Sequence, residues 1–191
     1  MPTPSDGSAA TALYVDDEEA RLRIRLERVA AGDMAALGEL FIAFGDLVYR
    51  TSLRLTGSPA DAEDVAQELF VRLPAAVRGF TGGPASFPGW IRRVAIRQTL
   101  MQMRSGRRRR EVDVDQVASL FAPHDDALSR LTLEAALERL SAEHRTVFLL
   151  KEVEGLSHAE IAELVGITVA NSEVRLHRAR RELRDMLRGS T

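Results

Sequence analysis

The spacing of apolar residues is the feature that most limits how this chain can fold. In every long segment these residues recur three or four positions apart, whereas the alternating pattern of a half-buried strand appears only in short stretches. The segment after Asp33 shows the helical repeat clearly, with apolar residues at Leu37, Leu40, Phe41, Phe44, Val48 and Leu55. The sequence therefore predicts an all-α fold.

Capping and turn-forming residues divide this pattern into separate helices. Asp33 is a predicted N-cap, Gly57 ends the helix that Asp33 begins, and Pro59 occupies the first turn of the next helix. The loop GFTGGPASFPG separates that helix from an arginine-rich one. The predicted helices cover residues 16–31, 33–56, 59–77 and 90–106, and then 128–187 with breaks at Gly155 and Gly166.

Composition changes along the chain and predicts two small helical domains joined by a flexible linker. Residues 1–20 carry five acids and no base and are predicted to form a loose acidic tail. Residues 21–105 form the first domain and residues 128–191 the second. Between them, residues 106–127 combine arginines, spaced acids and a proline, a composition typical of a linker.

Charge is strongly segregated, although the formal net charge is only −2. Residues 88–110 carry eight arginines and no acid, and residues 111–126 carry five acids and no base. The last 24 residues hold six arginines against three acids. Two basic surfaces on a nearly neutral chain indicate contact with nucleic acid.

Several classes of protein are excluded by what the sequence lacks. It has no cysteine, so disulfides, thiolate zinc sites and cysteine nucleophiles are excluded. Its four histidines are scattered along the chain: His124, His144, His158 and His177. It contains neither a phosphate-binding loop nor a dinucleotide-binding motif. No apolar run approaches the roughly 20 residues that cross a bilayer. Residues 1–20 contain no lysine or arginine, so we expect no secretory signal peptide with a basic N-terminal region. We expect a cytoplasmic protein that is not an enzyme and has no metal, cofactor or small-molecule substrate.

Residues 155–188 carry the most specific local pattern. Ser157 and Glu160 have the spacing of a capping box, Gly166 permits a sharp turn, and Thr168 can cap a longer basic helix. This order predicts a helix-turn-helix whose second helix enters the major groove of DNA. A plain helical hairpin with a solvated basic face is the alternative. The polar residues predicted to face DNA are Asn171, Ser172, Glu173, Arg175, His177 and Arg178.

Two segments resemble a known family. GSPADAEDVAQELFVRL resembles region two of bacterial sigma factors, and LERLSAEHRTVFLLKEVEGLSHAEIAELVGITVANSEVRLHRARREL resembles region four. Their order, with no room for a region three, is that of the extracytoplasmic-function (group IV) sigma factors of the sigma-70 family. The resemblance covers roughly residues 26–105 and 128–188. It implies a promoter-specificity subunit that binds core RNA polymerase and promoter DNA, and an anti-sigma factor, soluble or membrane-bound, as inhibitor.

The resemblance also implies roles for individual residues. The helix that contains DAEDVAQELF would dock on a coiled coil of the polymerase large subunit, through Asp61, Asp64, Gln67 and Glu68, with Leu69 and Phe70 available for packing. The glycine-rich loop and the arginine helix would open the minus-ten element, through Phe80, Ser86, Phe87, Arg92, Arg93, Arg97 and Gln98. The helix-turn-helix would read the minus-thirty-five element. Trp90 is assigned to the core, with a stacking surface as the alternative.

Three residues depart from the family pattern. Pro74 is expected to shorten or kink the docking helix. Thr168 stands where the family usually has proline. Glu173 stands where a basic residue is common, although a carboxylate can accept a hydrogen bond from cytosine.

A response regulator is a weaker alternative to a sigma factor, because it would need an α/β receiver domain. A helical adaptor is a further one.

Overall fold

The structure is a computed structural model that describes residues 7–110, 133 and 135–188. Its helices are α1 (Gly7–Ala30), α2 (Met34–Thr56), α3 (Pro59–Val77), a 3-10 turn (Pro84–Ser86), α4 (Phe87–Arg110), α5 (Ala142–Phe148), α6 (His158–Val165) and α7 (Val169–Arg188). Residues 135–139 are also helical, and α5 continues as a π-helix over Leu149–Val153. These ranges contain no strand, which confirms the all-α prediction. Within them, no helix has the length and apolar character that crossing a membrane requires.

The chain divides into two units, Met1–Gln102 and Met103–Thr191. Helices extend beyond three of the predicted limits, and one of these is the start of α4, which lies at Phe87 inside the predicted loop. Helix α1 begins at Gly7, inside the predicted loose tail, where Ser8–Leu13 is rich in alanine, a strong helix former. Helix α4 runs to Arg110 because arginine also favours helix, so the first residues of the predicted linker are helical. The remaining predicted linker residues, 111–127, lie outside the described part of the chain.

In the first unit, the apolar faces of α1–α4 meet in one core. Its buried residues include Val29, Leu40, Val48, Leu69, Leu73, Phe87 and Ile91. Both predicted ends of α2 are confirmed, since Asp33 accepts hydrogen bonds from the backbone of Ala35 and Ala36, and Gly57 adopts a left-handed φ of 70°. Helix α3 passes through Pro74 and ends at Val77, so the expected shortening is wrong, whereas the alternative of a kink stays a prediction. Leu73 and Val77 flank the proline and are buried, which holds the last turn in place.

The second unit is built around α7. Ala136, Leu140, Ala179 and Leu183 form a buried cluster with Phe148 packed against it. A break at Ser141, which the sequence reading does not foresee, starts α5, and the Ser141 hydroxyl accepts a hydrogen bond from the backbone N–H of His144. The unit therefore joins α5, α6 and α7 through side chains that α7 presents on one face.

Candidate nucleic-acid interface

The helix-turn-helix predicted for residues 155–188 is present in the geometry of α6, its turn and α7. Ser157 and Glu160 form the capping box, with the Ser157 backbone N–H 2.9 Å from Glu160 Oε2. Gly166 adopts a left-handed φ of 75°, a conformation that glycine reaches without steric cost. Thr168 Oγ1 then accepts a hydrogen bond of 3.1 Å from the backbone N–H of Asn171. Local capping chemistry thus fixes where both helices start and where the turn lies.

The two faces of α7 differ sharply in exposure. Ser172, Leu176, Ala179 and Leu183 are buried and face the interior of the unit. Of the predicted DNA-facing residues, four are exposed: Asn171, Glu173, His177 and Arg178. Val174 lies among them and is 47% exposed, and the sequence reading misses it because it considers polar residues only. The spacing of the buried residues could have located it, since it lies opposite them.

Two predicted DNA-facing residues lie elsewhere. Ser172 is fully buried, and its hydroxyl is 2.9 Å from Nδ1 of His158 on α6, so the prediction that it faces DNA is wrong. It shares the inward face because Leu176 is one turn further along the helix. Arg175 is half-buried, and its Nη2 lies 2.9 Å from Oε2 of Glu143 on α5. Its guanidinium is therefore held within the unit.

The predicted docking residues lie along α3. Asp64, Gln67 and Glu68 are exposed and Asp61 is half-buried. Glu68 forms an ion pair with Arg72 one turn later, with 2.5 Å between Glu68 Oε1 and Arg72 Nη2. Leu69 and Phe70, in contrast, are buried in the unit's own core, so the expectation that they are available to a partner is wrong. Amphipathic spacing explains this outcome, because both residues continue the buried row of Val65 and Ala66.

A groove between α2 and α3 borders this surface, and the sequence reading does not identify it. Its lining includes Phe41, Ile42, Tyr49, Glu63 and Gln67. Ile42 is 84% exposed, and the ring of Phe41 meets the buried ring of Phe70 edge-on at 5.0 Å. Gln67 belongs to both the groove and the predicted docking row. The exposed side of α3 is therefore an acidic and amide row beside apolar side chains.

The loop before α4 is packed more tightly than its glycines indicate. Phe87 is fully buried, and its ring centroid lies 5.1–5.6 Å from the ring centroids of Phe44, Phe80 and Trp90. The prediction that Phe87 is available to stack on a base is therefore wrong for this structure, because its ring fills the core between α2 and the loop. Trp90 also packs against this core, as expected. A side chain at Gly82 would come within 2.8 Å of the Phe80 ring.

The remaining minus-ten candidates are accessible to different degrees. Phe80 is half-buried beneath the loop, and Ser86 is exposed with its hydroxyl donating to the Gly83 carbonyl at 2.7 Å. On α4, Arg93 and Arg97 are exposed one turn apart, while Arg92 and Gln98 are half-buried. The loop thus exposes one hydroxyl, and the outer face of α4 exposes two arginines.

Comparisons with known proteins bear on both units. Residues 40–109 match the family model for sigma-70 region 2, and residues 130–183 match that for sigma-70, region 4. ECF RNA polymerase sigma factor SigE of Mycolicibacterium smegmatis is 38% identical over 170 residues, which cover 83% of this chain and 65% of SigE. SigL of Mycobacterium tuberculosis is 37% identical over 167 residues, covering 84% of this chain and 93% of SigL.

A solved structure shows the same fold. It is the co-crystal structure of the sigma factor RpoE in complex with the anti-sigma factor NepR from Bartonella quintana, with a TM-score of 0.62 and 21% identity. The alignment covers 79% of this chain and 96% of the matched chain. The arrangement of helices described above is thus one already seen in a solved protein.

Proposed function

Because the chain belongs to the extracytoplasmic-function sigma factors of the sigma-70 family, we propose that it binds core RNA polymerase, directs it to promoters and starts transcription there. Members of this family are initiation factors and not enzymes. The observation that carries the proposal is the pair of family matches in the expected order. The match to region 4 lies within the second unit, and the match to region 2 lies mainly in the first.

The exposed side of α3 is the surface that we assign to core polymerase. The helix dipole would account for an acid in the first turn, such as Asp61, but not for Gln67 and Glu68 in the middle of the helix. Beside them, the groove between α2 and α3 exposes Phe41 and Ile42. An acidic row next to exposed apolar side chains fits a basic amphipathic helix, which would bury the apolar groups and pair the acids.

The loop after α3 and the outer face of α4 are the surface that we assign to the minus-ten element. Arg93 and Arg97 would follow the backbone of the open strand, and Phe80 and Ser86 would meet a base that has left the stack. Phe87 supports this loop from within the core. Permanganate footprinting tests the assignment: Arg93→Ala holoenzyme should form the closed complex yet make fewer thymines reactive than wild type does, and this deficit should shrink as salt rises. Wild-type opening would contradict it.

The outward face of α7 is the surface that we assign to the minus-thirty-five element. Asn171, Glu173, His177 and Arg178 are exposed on it, and α6 and the Gly166 turn give the helix a defined start. In a helix-turn-helix the first turns of the second helix meet the base edges, and these residues lie in the first ten of α7.

Run-off transcription with purified components tests the whole proposal. The full chain is mixed with core RNA polymerase and a library of promoter fragments, with core polymerase alone as control. We expect the chain to co-elute with the core enzyme and to give discrete transcripts that the core alone does not give. Absence of both would overturn the proposal.

We also propose that an anti-sigma factor holds the protein inactive in the cytoplasm, where core polymerase works. The support is the solved RpoE–NepR complex, whose sigma factor shares this fold. Apolar side chains beside the docking row, such as Ile42 and Val71, give an inhibitor a surface to cover. Affinity purification from uninduced cells should recover one such protein and little polymerase. Recovery of polymerase alone would contradict this part of the proposal.

A further inference from the structure

Val174 is an exposed apolar side chain in the centre of an otherwise polar surface. It is 47% exposed, and its neighbours on the same side of α7 are Asn171, His177 and Arg178, all exposed. A β-branched residue does not favour an exposed helical position, because its χ1 freedom is restricted there. Neither burial nor helix formation therefore accounts for valine at this position.

The direction of Val174 follows from the buried face of the same helix. Ser172, Leu176, Ala179 and Leu183 define the inward direction. At about 100° per residue, Val174 lies about 200° round the helix from Ser172 and so points almost directly away from the core. Val169, which is 44% exposed, lies only about 60° from Ser172 by the same measure and points along the side of the unit. Val174 is thus the large apolar side chain that α7 holds outward.

The position of Val174 along the helix matches the part that meets base edges. It is the sixth residue of α7, and a helix-turn-helix uses the first turns of its second helix for base contacts. Arg178 lies one turn later on the same outward side and can approach a phosphate or a guanine. In the major groove the one apolar group on a base edge is the C5-methyl of thymine.

We propose that Val174 reads a thymine in the upstream promoter element by packing its methyl groups against the thymine C5-methyl. The inference rests on the proposed function, because it requires α7 to lie in the major groove. It adds a specificity residue that polarity alone does not reveal. A base without that methyl would leave the valine exposed to water in the groove, and the complex would be weaker.

Deoxyuridine substitution tests the inference directly, because it removes only the C5-methyl. The full chain is assembled with core polymerase, and an upstream element is selected from DNA randomised at that site. Each thymine in the selected element is then replaced by deoxyuridine, and dissociation constants are measured by fluorescence anisotropy. We expect wild-type holoenzyme to lose about fourfold in affinity at one thymine, the effect of one buried methyl group.

The Val174→Ala holoenzyme should bind the selected element more weakly and should not respond to deoxyuridine at that thymine. Alanine favours helix and the site is exposed, so this variant should fold normally. The matched control is Val153→Ala, which removes a valine that is 46% exposed in the same unit but outside α7. Its response to deoxyuridine should equal that of wild type.

The outcomes separate the inference from the function on which it rests. If Val174→Ala and wild-type holoenzymes respond alike at every thymine, or if the selected element contains no thymine, the inference is overturned while the proposed function stands. If the chain forms no holoenzyme, or selects no upstream sequence, the proposed function fails and the inference fails with it.

Discussion

Ser172 lies fully buried between α6 and α7, with its hydroxyl 2.9 Å from Nδ1 of His158. We predict that Ser172→Ala leaves the imidazole without this partner and lowers the free energy of unfolding by about 1 kcal/mol. Discrimination of the upstream element should stay as in wild type, because the hydroxyl points away from the DNA-facing side. Urea unfolding and binding to scrambled upstream DNA check the two parts.

Asn171→Ala is the matched comparison for Ser172→Ala, since Asn171 is the adjacent residue and is exposed. It should weaken DNA binding with little effect on unfolding. If Ser172→Ala instead unfolds like wild type and loses discrimination, the serine contacts DNA and the buried position described above is not the bound one.

Helix α7 carries two arginines that look alike in sequence but lie in different surroundings. Arg178 is exposed on the outward face, whereas Arg175 is held by Glu143 on α5. Arg178→Ala should reduce discrimination between the promoter and scrambled DNA by about 1–3 kcal/mol, the range for an arginine–guanine contact. Arg175→Ala should reduce it much less. Titration of holoenzyme with both DNAs measures the difference, and equal losses would show that Arg175 leaves Glu143 to read a base.

The start of α2 gives a prediction on pH. Hydrogen bonds from the backbone of Ala36 and from the side chain of Arg28 hold the pKa of Asp33 below its ordinary value of 3.8. Because the folded-state pKa is lowered, the stabilisation is present above pH 3.8 and is lost as pH falls through the folded-state value. Asp33→Ala should therefore unfold a few degrees below wild type at pH 7, and this gap should narrow in acid as the carboxylate is protonated.

Asp33→Asn is the control for that titration, because an amide can still cap the helix but cannot change its charge. Thermal unfolding of the three proteins between pH 7 and pH 3 makes the comparison. A gap between wild type and Asp33→Ala that stays constant with pH would contradict a role for the ionised carboxylate.

Four of the helix ends were predictable because their causes are local. Asp33, Gly57, Ser157 and Gly166 act on backbone groups a few residues away, so their spacing is sufficient to place the ends of α2 and α6. The burial of Phe87 was not predictable in the same way. Its ring is enclosed by Phe44 from α2 and by Phe80 from the loop, and local spacing contains no information about those partners.

In the complete protein, the docking row on α3, formed by Asp61, Asp64, Gln67 and Glu68, should control assembly with core polymerase. Asp64 and Glu68 are exposed one turn apart, so replacing both with alanine should leave the fold intact. We expect the Asp64→Ala, Glu68→Ala protein to bind core polymerase at least tenfold more weakly, since basic groups of the partner would lose the carboxylates that pair with them. A polymerase titration followed by fluorescence measures the change.

Glu27→Ala is the control for this pair, because Glu27 is an exposed acid of the same unit on α1. Its affinity for core polymerase should equal that of wild type. If the double variant also retains wild-type affinity, the exposed side of α3 is not the docking surface, and the family match alone would then support polymerase binding.

Two arginines of α7 form ion pairs within its own unit, and this bears on how the protein searches a chromosome. Arg175 and Arg180 are held by Glu143 and Glu152, so two of the six arginines of α7 are already neutralised. Each phosphate contact forgone removes about 0.9 from the slope of log affinity against log salt. We therefore expect a copy not yet joined to polymerase to bind random duplex more weakly than six unpaired arginines would, and so to move more freely between chromosomal sites.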